Sequence, residues 1–260
     1  MITSRDQLGR EINWNEFPKR IISLVPSISE LIWDLGLQNE LIGITKFCIH
    51  PQEMFQNKTR IGGTKNINHS IIESLKPDLI IGNKEENTKD DIDELMKHYP
   101  IWMSDVNTIF EAIYLINELG KITNKEIESK KIISKINISP IKFQPIKKVI
   151  YLIWHEPCFA VGKNTFINDM LKNAGFENCI KENRYPEITG EMIHDLNPDF
   201  LFLSSEPFPF QNNHIEYYKN FIAEEKIKLV GGEMFSWYGS RMTKANIYFQ
   251  QLREELNQRS

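Results

Sequence analysis

The feature that most constrains the fold of this chain is an internal repeat. Residues 71–82 read IIESLKPDLIIG and residues 192–203 read MIHDLNPDFLFL. Each copy shows the end of an amphipathic helix, then Leu-x-Pro-Asp, then a continuous apolar run. Proline lacks an amide hydrogen and ends a helix, and an apolar run without polar alternation indicates a strand buried on both faces. The chain therefore contains two copies of one helix–strand unit.

The repeat extends upstream of both copies. Residues 19–24 (KRIISL) and 147–153 (KKVIYLI) are each a basic pair followed by an apolar run. Each run leads through a loop into a helical pattern that ends at a glycine, Gly36 in the first copy and Gly175 in the second. Glycine readily adopts the left-handed conformation at a helix C-terminus. Alternating strands and helices of this kind predict parallel sheets covered by helices.

We therefore predict an α/β protein with two Rossmann-like lobes. The N-terminal lobe covers residues 1–107, a helical connector covers 108–140, and the C-terminal lobe covers 141–260. Ligands of such folds bind outside the carboxyl ends of the strands. The loops that follow the strands should thus line a cleft between the lobes.

The connector is predicted to hold two helices. The first covers residues 108–120. Thr123 stands three residues before Glu126, a spacing typical of a capping box, and it predicts a second helix over about 124–138. At 1.5 Å per residue this helix would span ~22 Å, enough to be the single long helix that joins the lobes.

Composition excludes several classes of partner. The 260 residues include 31 Lys and Arg against 35 Asp and Glu, a net charge of −4, whereas nucleic-acid-coating proteins usually carry a basic surplus. No stretch approaches the ~20 apolar residues of a membrane span. We expect no nucleic-acid partner, no membrane span and a monomer.

The N-terminal residues bear on the compartment. The first twenty residues lack the apolar core of a signal peptide. We expect a periplasmic or cell-envelope location if an export signal precedes this sequence, and a cytoplasmic location otherwise.

Motifs of common enzymes and cofactors are missing. The sequence holds no phosphate-binding loop, no GxGxxG after the first strand and no GxSxG. The three cysteines are an odd number without a CxxC pair, which disfavours both a disulfide framework and a structural zinc site. We expect no enzymatic activity, no catalytic residues, no resident metal and no intrinsic cofactor.

The loops predicted to follow the strands are rich in aromatic residues, which stack on flat or macrocyclic ligands. The aromatic set is Trp154, Phe159, Tyr185, Phe208, Phe210, Phe235, Trp237 and Tyr238. The accompanying charged set is Glu156, Arg184, Glu206, Glu233 and Arg241. We expect about half of the aromatic residues to contact a ligand.

Several segments together resemble a known family. They are RIISLVPS at 20–27, Glu30-Leu31, Leu35-Gly36, Ile42-Gly43-Ile44-Thr45 and Leu75-Lys76-Pro77-Asp78-Leu79-Ile80. This order resembles the helical-backbone metal-receptor family, the substrate-binding proteins of ABC importers for cobalamin, haem and ferric siderophores. The resemblance covers nearly the whole chain and is strongest to the cobalamin-binding members. It implies two α/β lobes on one long helix and a metal-chelate ligand in an aromatic cleft.

The resemblance also implies particular ligand contacts. A pocket tyrosine of the family falls on His50, a pocket tryptophan falls near Tyr185, and an apolar ring falls near Phe159. An acidic cleft loop falls near Glu233 and Trp237, whereas a pocket tryptophan of the first lobe falls on Thr64. Together with loop position, this gives one predicted ligand-binding set: His50, Trp154, Phe159, Tyr185, Glu233, Trp237, Tyr238 and Arg241.

Family members also carry one surface glutamate per lobe for docking to the permease. The second-lobe position falls on Glu191 and the first-lobe position falls on Ser70. Glu73 lies one helical turn after Ser70 and could replace the missing acid. An ABC-importer permease is therefore the expected protein partner.

Two alternatives stay open. One is a cytoplasmic enzyme or ligand-handling protein that uses the same cleft, with Glu156, Glu206 and Glu233 beside His50 and His155 as acid–base groups. The other is capture of a bare late-metal ion by Cys48, His50, His155 and a glutamate.

Overall fold

The computed structural model describes residues 2–136 and 146–258, and the chain divides into two compact units. Unit 1 comprises residues 2–106, 110–136 and 238–243, and unit 2 comprises residues 107–109, 146–237 and 244–258. Among these described residues, none of the helices is both long enough and apolar enough to cross a membrane.

Unit 1 is built around a five-stranded parallel sheet. The strands of unit 1 are β1 (Ile2–Arg5), β2 (Glu11–Trp14), β3 (Ile21–Ser23), β4 (Leu41–Ile44), β5 (Thr59–Arg60), β6 (Leu79–Asn83) and β7 (Ile101–Ser104). Its helices are α1 (Pro26–Asp34), α2 (Gln52–Asn57), α3 (His69–Leu75), α4 (Lys89–Leu95), α5 (Ile109–Ile122, whose first residue groups with unit 2) and α6 (Glu126–Ile133). The sheet order is β5-β4-β3-β6-β7, and β1 and β2 form a separate antiparallel pair that the repeat did not predict.

Unit 2 repeats the parallel arrangement with one addition. Its strands are β8 (Lys147–Trp154), β9 (Phe159–Ala160), β10 (Phe176–Asn178), β11 (Phe200–Ser204) and β12 (Ile227–Val230). Its helices are α7 (Phe166–Asn173), α8 (Gly190–Leu196), α9 (Asn212–Tyr218), α10 (Glu233–Ser236) and α11 (Met242–Gln258, whose first two residues group with unit 1). The parallel order is β10-β8-β11-β12, and β9 turns back antiparallel to β8.

The predicted apolar runs form the centre of each sheet. Every residue of β6 and of β11 is buried, because helices cover both faces of a parallel sheet. In unit 1 Ile22 and Ile80 belong to one buried cluster, and in unit 2 Ile150 and Leu201 belong to another. The α/β fold with two parallel sheets is therefore confirmed.

The repeated Leu-x-Pro-Asp segment forms the same corner in both units. Helix α3 ends at Lys76 and α8 ends at Asn197, both left-handed with φ of 46° and 39°. The Asp78 carboxylate then accepts the backbone N–H groups of Lys19 and Arg20 at 2.8 and 2.9 Å.

In the second corner the Asp199 carboxylate accepts the backbone N–H of Lys148 at 2.7 Å. Each aspartate therefore ties its corner to the strand upstream. The predicted helix ends at Gly36 and Gly175 are also confirmed, since their φ angles are 80° and 78°.

The connector differs from its prediction. The helix predicted over 124–138 is the eight-residue α6, and the longer helix is the 14-residue α5. Asn124, with φ of 57°, interrupts the path between them. The predicted capping box is absent because Thr123 Oγ1 donates to the Leu119 carbonyl at 2.6 Å. Residues 137–138 of the prediction lie outside the described residues.

Candidate functional site

In unit 2 the central strand β8 ends at a half-exposed tryptophan. Trp154 is 40% exposed, and its ring lies edge-on to Phe208, with 5.6 Å between the ring centroids. Its indole N–H donates to the Glu156 carbonyl at 3.3 Å. Phe208 lies in the loop after β11, the neighbouring parallel strand. Both rings therefore lie at the carboxyl end of the sheet, where α/β folds bind ligands.

The next residue, His155, turns into a cluster of rings. Its Nδ1 lies 3.0 Å from the Tyr218 hydroxyl, and its ring lies 5.1 Å from His214 and 5.0 Å from Tyr217, centroid to centroid. Burial among these rings lowers the pKa of His155, which Glu156 partly offsets. His155 therefore stabilises the loop by packing against these rings and by its hydrogen bond with Tyr218.

Glu206 joins the loops after β11 and β12. Its carboxylate accepts the indole N–H of Trp237 at 3.1 Å and the Ser236 hydroxyl. A Cβ at Gly232 would lie 2.6 Å from the Glu206 side chain, so the close approach of the two loops requires glycine. Trp237 is only 7% exposed. Its predicted ligand contact is thus limited, and it mainly fixes the position of this loop.

Three other predicted contacts of unit 2 are half-buried. Phe159 opens β9 and pairs with Trp154 across the strands. The Arg184 guanidinium carbon lies 5.6 Å from the centroid of the Tyr185 ring. Glu233 is the first residue of α10. All three keep partial access to solvent.

Two predicted contacts lie in unit 1 and are buried. Arg241 is 7% exposed, and its Nε and Nη2 donate to the two carboxylate oxygens of Glu30 on α1 at 2.8 and 2.7 Å. Tyr238 is 6% exposed. Next to it, Gly239 has φ of 117°, and a Cβ at this position would lie 3.3 Å from the Leu31 Cβ of α1. Because the Arg241 side chain is bound to Glu30 within the fold, we do not carry it into the proposed ligand contacts.

Cys48 and His50 differ in burial in the loop after β4. The Cys48 thiol is fully buried, 3.2 Å from the hydroxyl oxygens of Ser29 and Thr45, and burial raises its pKa. His50 is half-buried. Within residues 2–136 and 146–258, no three His, Cys, Asp or Glu side chains are grouped to hold a metal ion. The bare-metal alternative therefore lacks a donor set in this part of the chain.

Some aromatic residues of the strand-end loops are core residues instead. Phe235 is fully buried against Tyr151 and Phe249, and Phe210 is 5% exposed. Conversely, the predicted contact set did not include Phe47 and Ile49, which are 51% and 50% exposed in the loop after β4. Their signal in the sequence was weak, since an apolar residue after a strand is more often part of the core.

The two predicted docking positions are equivalent in the repeat. Ser70 is the second residue of α3 and Glu191 is the second residue of α8, and both are exposed. A backbone hydrogen bond at the start of the helix, with help from the Thr189 hydroxyl, lowers the pKa of Glu191. Ser70 instead donates to the Asn68 side chain at 2.7 Å. Only the second unit therefore offers an acid at this position.

The fold and these loops define a two-unit α/β binding protein. The family model described as periplasmic binding protein matches residues 21–225, so the chain belongs to the periplasmic binding protein family. This is a family of binding proteins and not of enzymes, which agrees with the expectation from the missing catalytic motifs.

Individual relatives are similar over most of the chain. The uncharacterized ABC transporter substrate-binding lipoprotein YvrC of Bacillus subtilis (strain 168) is 28% identical over 215 residues, covering 77% of this chain and 68% of that protein. The vitamin B12-binding protein of Yersinia pestis (strain Pestoides F) is 23% identical over 195 residues, covering 72% of this chain and 69% of that protein.

A solved structure shows the same fold. It is a protein of Staphylococcus epidermidis ATCC 12228 described as a possible iron-binding (periplasmic solute-binding) protein. Its TM-score is 0.75 at 24% identity, with 93% of this chain and 99% of that chain covered.

Proposed function

We propose that this protein is the substrate-binding component of an ABC importer and that its ligand is a metal chelate: a cobalamin-like compound, haem or a ferric siderophore. The observation that carries the proposal is the half-exposed Trp154, supported by Phe208, at the carboxyl end of β8. A large ring held there provides contact area for a flat ligand at low entropic cost. The names of the B. subtilis, Y. pestis and S. epidermidis proteins support this class of function.

The proposed ligand contacts are those predicted residues whose side chains are accessible to solvent. His50, Trp154, Phe159, Tyr185 and Glu233 are the direct contacts, since each is at least partly accessible. The chelate is cargo, so the protein has no intrinsic cofactor in this proposal.

Two buried residues of the predicted set have a structural role in this proposal. Trp237 and Tyr238 hold the neighbouring loops and contact the ligand at most at their edges.

Transport and location complete the proposal. The partner is an ABC-importer permease, which Glu191 and the Ser70 region would contact. A cell-envelope location is supported by the B. subtilis relative, which is named a lipoprotein.

The enzyme alternative has less support. The Glu206 carboxylate is bound by Trp237 and Ser236, and the Glu156 side chain is 81% exposed.

Calorimetry and visible spectroscopy test the proposal. The purified protein is titrated with cyanocobalamin, dicyanocobinamide, haemin and a ferric siderophore, with ferric and zinc salts as controls. We expect one chelate to bind with Kd of about 1 μM or tighter, near −8 kcal/mol, and the salts not to bind. Lack of binding by all four chelates up to about 100 μM would contradict the proposal.

A matched pair of variants locates the site. Trp154→Ala should weaken chelate binding about 10- to 100-fold, which is ~1.4–2.8 kcal/mol. Phe17→Ala removes a ring that is 41% exposed in the loop leading into the amino end of β3, and it should leave affinity unchanged. Equal affinities of the two variants would place the ligand elsewhere.

A further inference from the structure

The loop after β4 presents two apolar side chains to solvent by means of a buried anchor. Cys48 is fully buried between the hydroxyls of Ser29 and Thr45. The backbone turns here, since the Cys48 N–H donates to the Thr45 carbonyl at 3.2 Å and the Ile49 N–H donates to the Phe47 carbonyl at 2.9 Å. Cys48 is held inward, whereas the residues on either side of it, Phe47 and Ile49, are 51% and 50% exposed.

Backbone hydrogen bonds also fix the loop that contains Phe47. The Lys46 N–H donates to the Gly62 carbonyl at 2.8 Å, and the Gly63 N–H donates to the Asn66 carbonyl at 2.9 Å. A Cβ at Gly63 would lie 3.3 Å from Cε2 of the Phe47 ring. The ring therefore rests against a residue without a side chain, and its remaining surface stays open.

A positive charge accompanies this ring. The Lys46 ammonium lies 5.1 Å from the centroid of Phe47, and Lys46 is exposed. A cation at this distance is attracted to the face of an aromatic ring. An apolar surface with a cation at its side is complementary to a ligand that has an apolar body and an anionic group at its edge.

The position of the loop separates it from other exposed apolar residues. Ile127 and Ile247 are also exposed, but each lies on the surface of a helix. Phe47 and Ile49 instead follow the carboxyl end of a parallel strand, the side of the sheet at which such folds bind ligands. Scattered apolar residues are normal on a surface, whereas two of them on one anchored loop at this edge call for an explanation.

We propose that Lys46, Phe47 and Ile49 form a specificity-determining contact for the ligand, resting on the proposed function above. Phe47 and Ile49 contact the apolar face of the chelate, and Lys46 pairs with a carboxylate at its periphery. The site therefore prefers a tetrapyrrole chelate that carries free carboxylates over one whose carboxylates are amidated or esterified.

The first test concerns the ring. Haemin and dicyanocobinamide are titrated into the wild-type protein, Phe47→Ala, Phe47→Trp and the control Phe17→Ala. We expect Phe47→Ala to weaken haemin binding about 10-fold or more, and Phe47→Trp and Phe17→Ala to stay within about twofold of wild type. Thermal unfolding without ligand checks that each variant is folded.

The second test concerns the charge. Lys46→Met keeps most of the aliphatic stem and removes the ammonium. It should weaken haemin binding about 3- to 10-fold, and it should leave the affinity for the dimethyl ester of haemin unchanged. Lys46→Arg should retain haemin affinity.

The outcomes separate this inference from the proposed function. Wild-type binding of haemin with no loss in Phe47→Ala would overturn the contact and leave the proposed function standing. Loss in Phe47→Ala together with equal binding of haemin and its dimethyl ester by the wild-type protein, or with an unchanged haemin affinity in Lys46→Met, would overturn the carboxylate preference. If no chelate binds the wild-type protein, the proposed function fails, and the contact site fails with it.

Discussion

The corners at Asp78 and Asp199 are alike, whereas the loops at the opposite ends of the strands are not. Both corners end a helix in the left-handed conformation and tie an aspartate to backbone N–H groups of the neighbouring strand. At the carboxyl ends, unit 1 has the loop anchored by Cys48, and unit 2 has the ring cluster around His155.

This comparison shows which parts of the two units are alike. The corners tie helix ends to the parallel sheets through an aspartate in both units. The carboxyl-end loops differ in sequence and give each unit different side chains. We infer that the repeated segments determine the fold and that the carboxyl-end loops, which differ between the units, determine the ligand preference.

The largest expected effect comes from the ion pair between Glu30 and Arg241, which belongs to unit 1. Arg241→Met leaves the Glu30 carboxylate buried without its partner, so urea unfolding should show a loss of about 3–5 kcal/mol. The double variant Glu30→Met/Arg241→Met should be less destabilised than Arg241→Met alone. A loss below about 1 kcal/mol for the single variant would show that the pair is not needed by the fold.

The two corners should respond equally to the same substitution. Asp78→Ala removes the charged acceptor of the Lys19 and Arg20 N–H groups, Asp199→Ala removes that of the Lys148 N–H group, and each should cost about 1–3 kcal/mol. Asp195→Ala is a control, since the Asp195 side chain is 80% exposed on α8, and it should change stability by less than about 0.5 kcal/mol. A clear difference between the two corner variants would mean that the repeat is not energetically equivalent.

A smaller change in stability is expected at the two left-handed residues, Lys76 and Asn197, that follow α3 and α8. Lys76→Gly should stabilise unit 1 by up to about 1 kcal/mol, because a lysine side chain strains this conformation. Asn197→Gly should gain less, since asparagine tolerates left-handed angles. Melting temperatures measured side by side test the order, and a larger gain for Asn197→Gly would contradict it.

The smallest expected effect is a pH dependence confined to unit 2. The folded protein lowers the pKa of His155 below its ordinary value near 6.5. The unfolded chain therefore binds the proton first, and this contribution to stability is present above about pH 6.5 and is lost as the pH falls below it. The groups that face the ring are Glu156, His214, Tyr217 and Tyr218.

Thermal melts at pH 7.5 and 5.5 test this dependence. The decrease in Tm on acidification should be smaller in His155→Phe than in the wild-type protein. His194→Gln, on the exposed end of α8, should retain the wild-type decrease. An unchanged decrease in His155→Phe would contradict the account.

Much of the fold could be predicted from sequence because its signals are local. Proline and aspartate at 77–78 and 198–199, and glycine at Gly36 and Gly175, mark element ends by backbone chemistry alone. The connector was predicted less well, because Thr123 can cap a helix or bond back to the preceding turn, and only the packed structure decides between them.

The site was harder to predict because the burial of its rings, like the role of Thr123 in the connector, depends on packing between distant parts of the chain. Trp154, Trp237 and Phe235 all follow strands in the sequence, yet Trp154 is half exposed and the other two are buried. Whether such a ring faces solvent depends on contacts such as that of Trp237 with Glu206, which join residues far apart in the chain. Likewise, the half exposure of Phe47 depends on how the turn after β4 packs, with Cys48 buried beside it.

Hydrogen exchange with and without a bound chelate tests the central claim most directly. The account predicts that haemin or the best-binding chelate slows exchange in peptides that cover 45–50 in unit 1 and 154–159 in unit 2. Peptides that cover the corners at 76–79 and 197–200 should exchange at unchanged rates. Protection confined to the corners, or absent from both strand-end loops at saturating ligand, would contradict it.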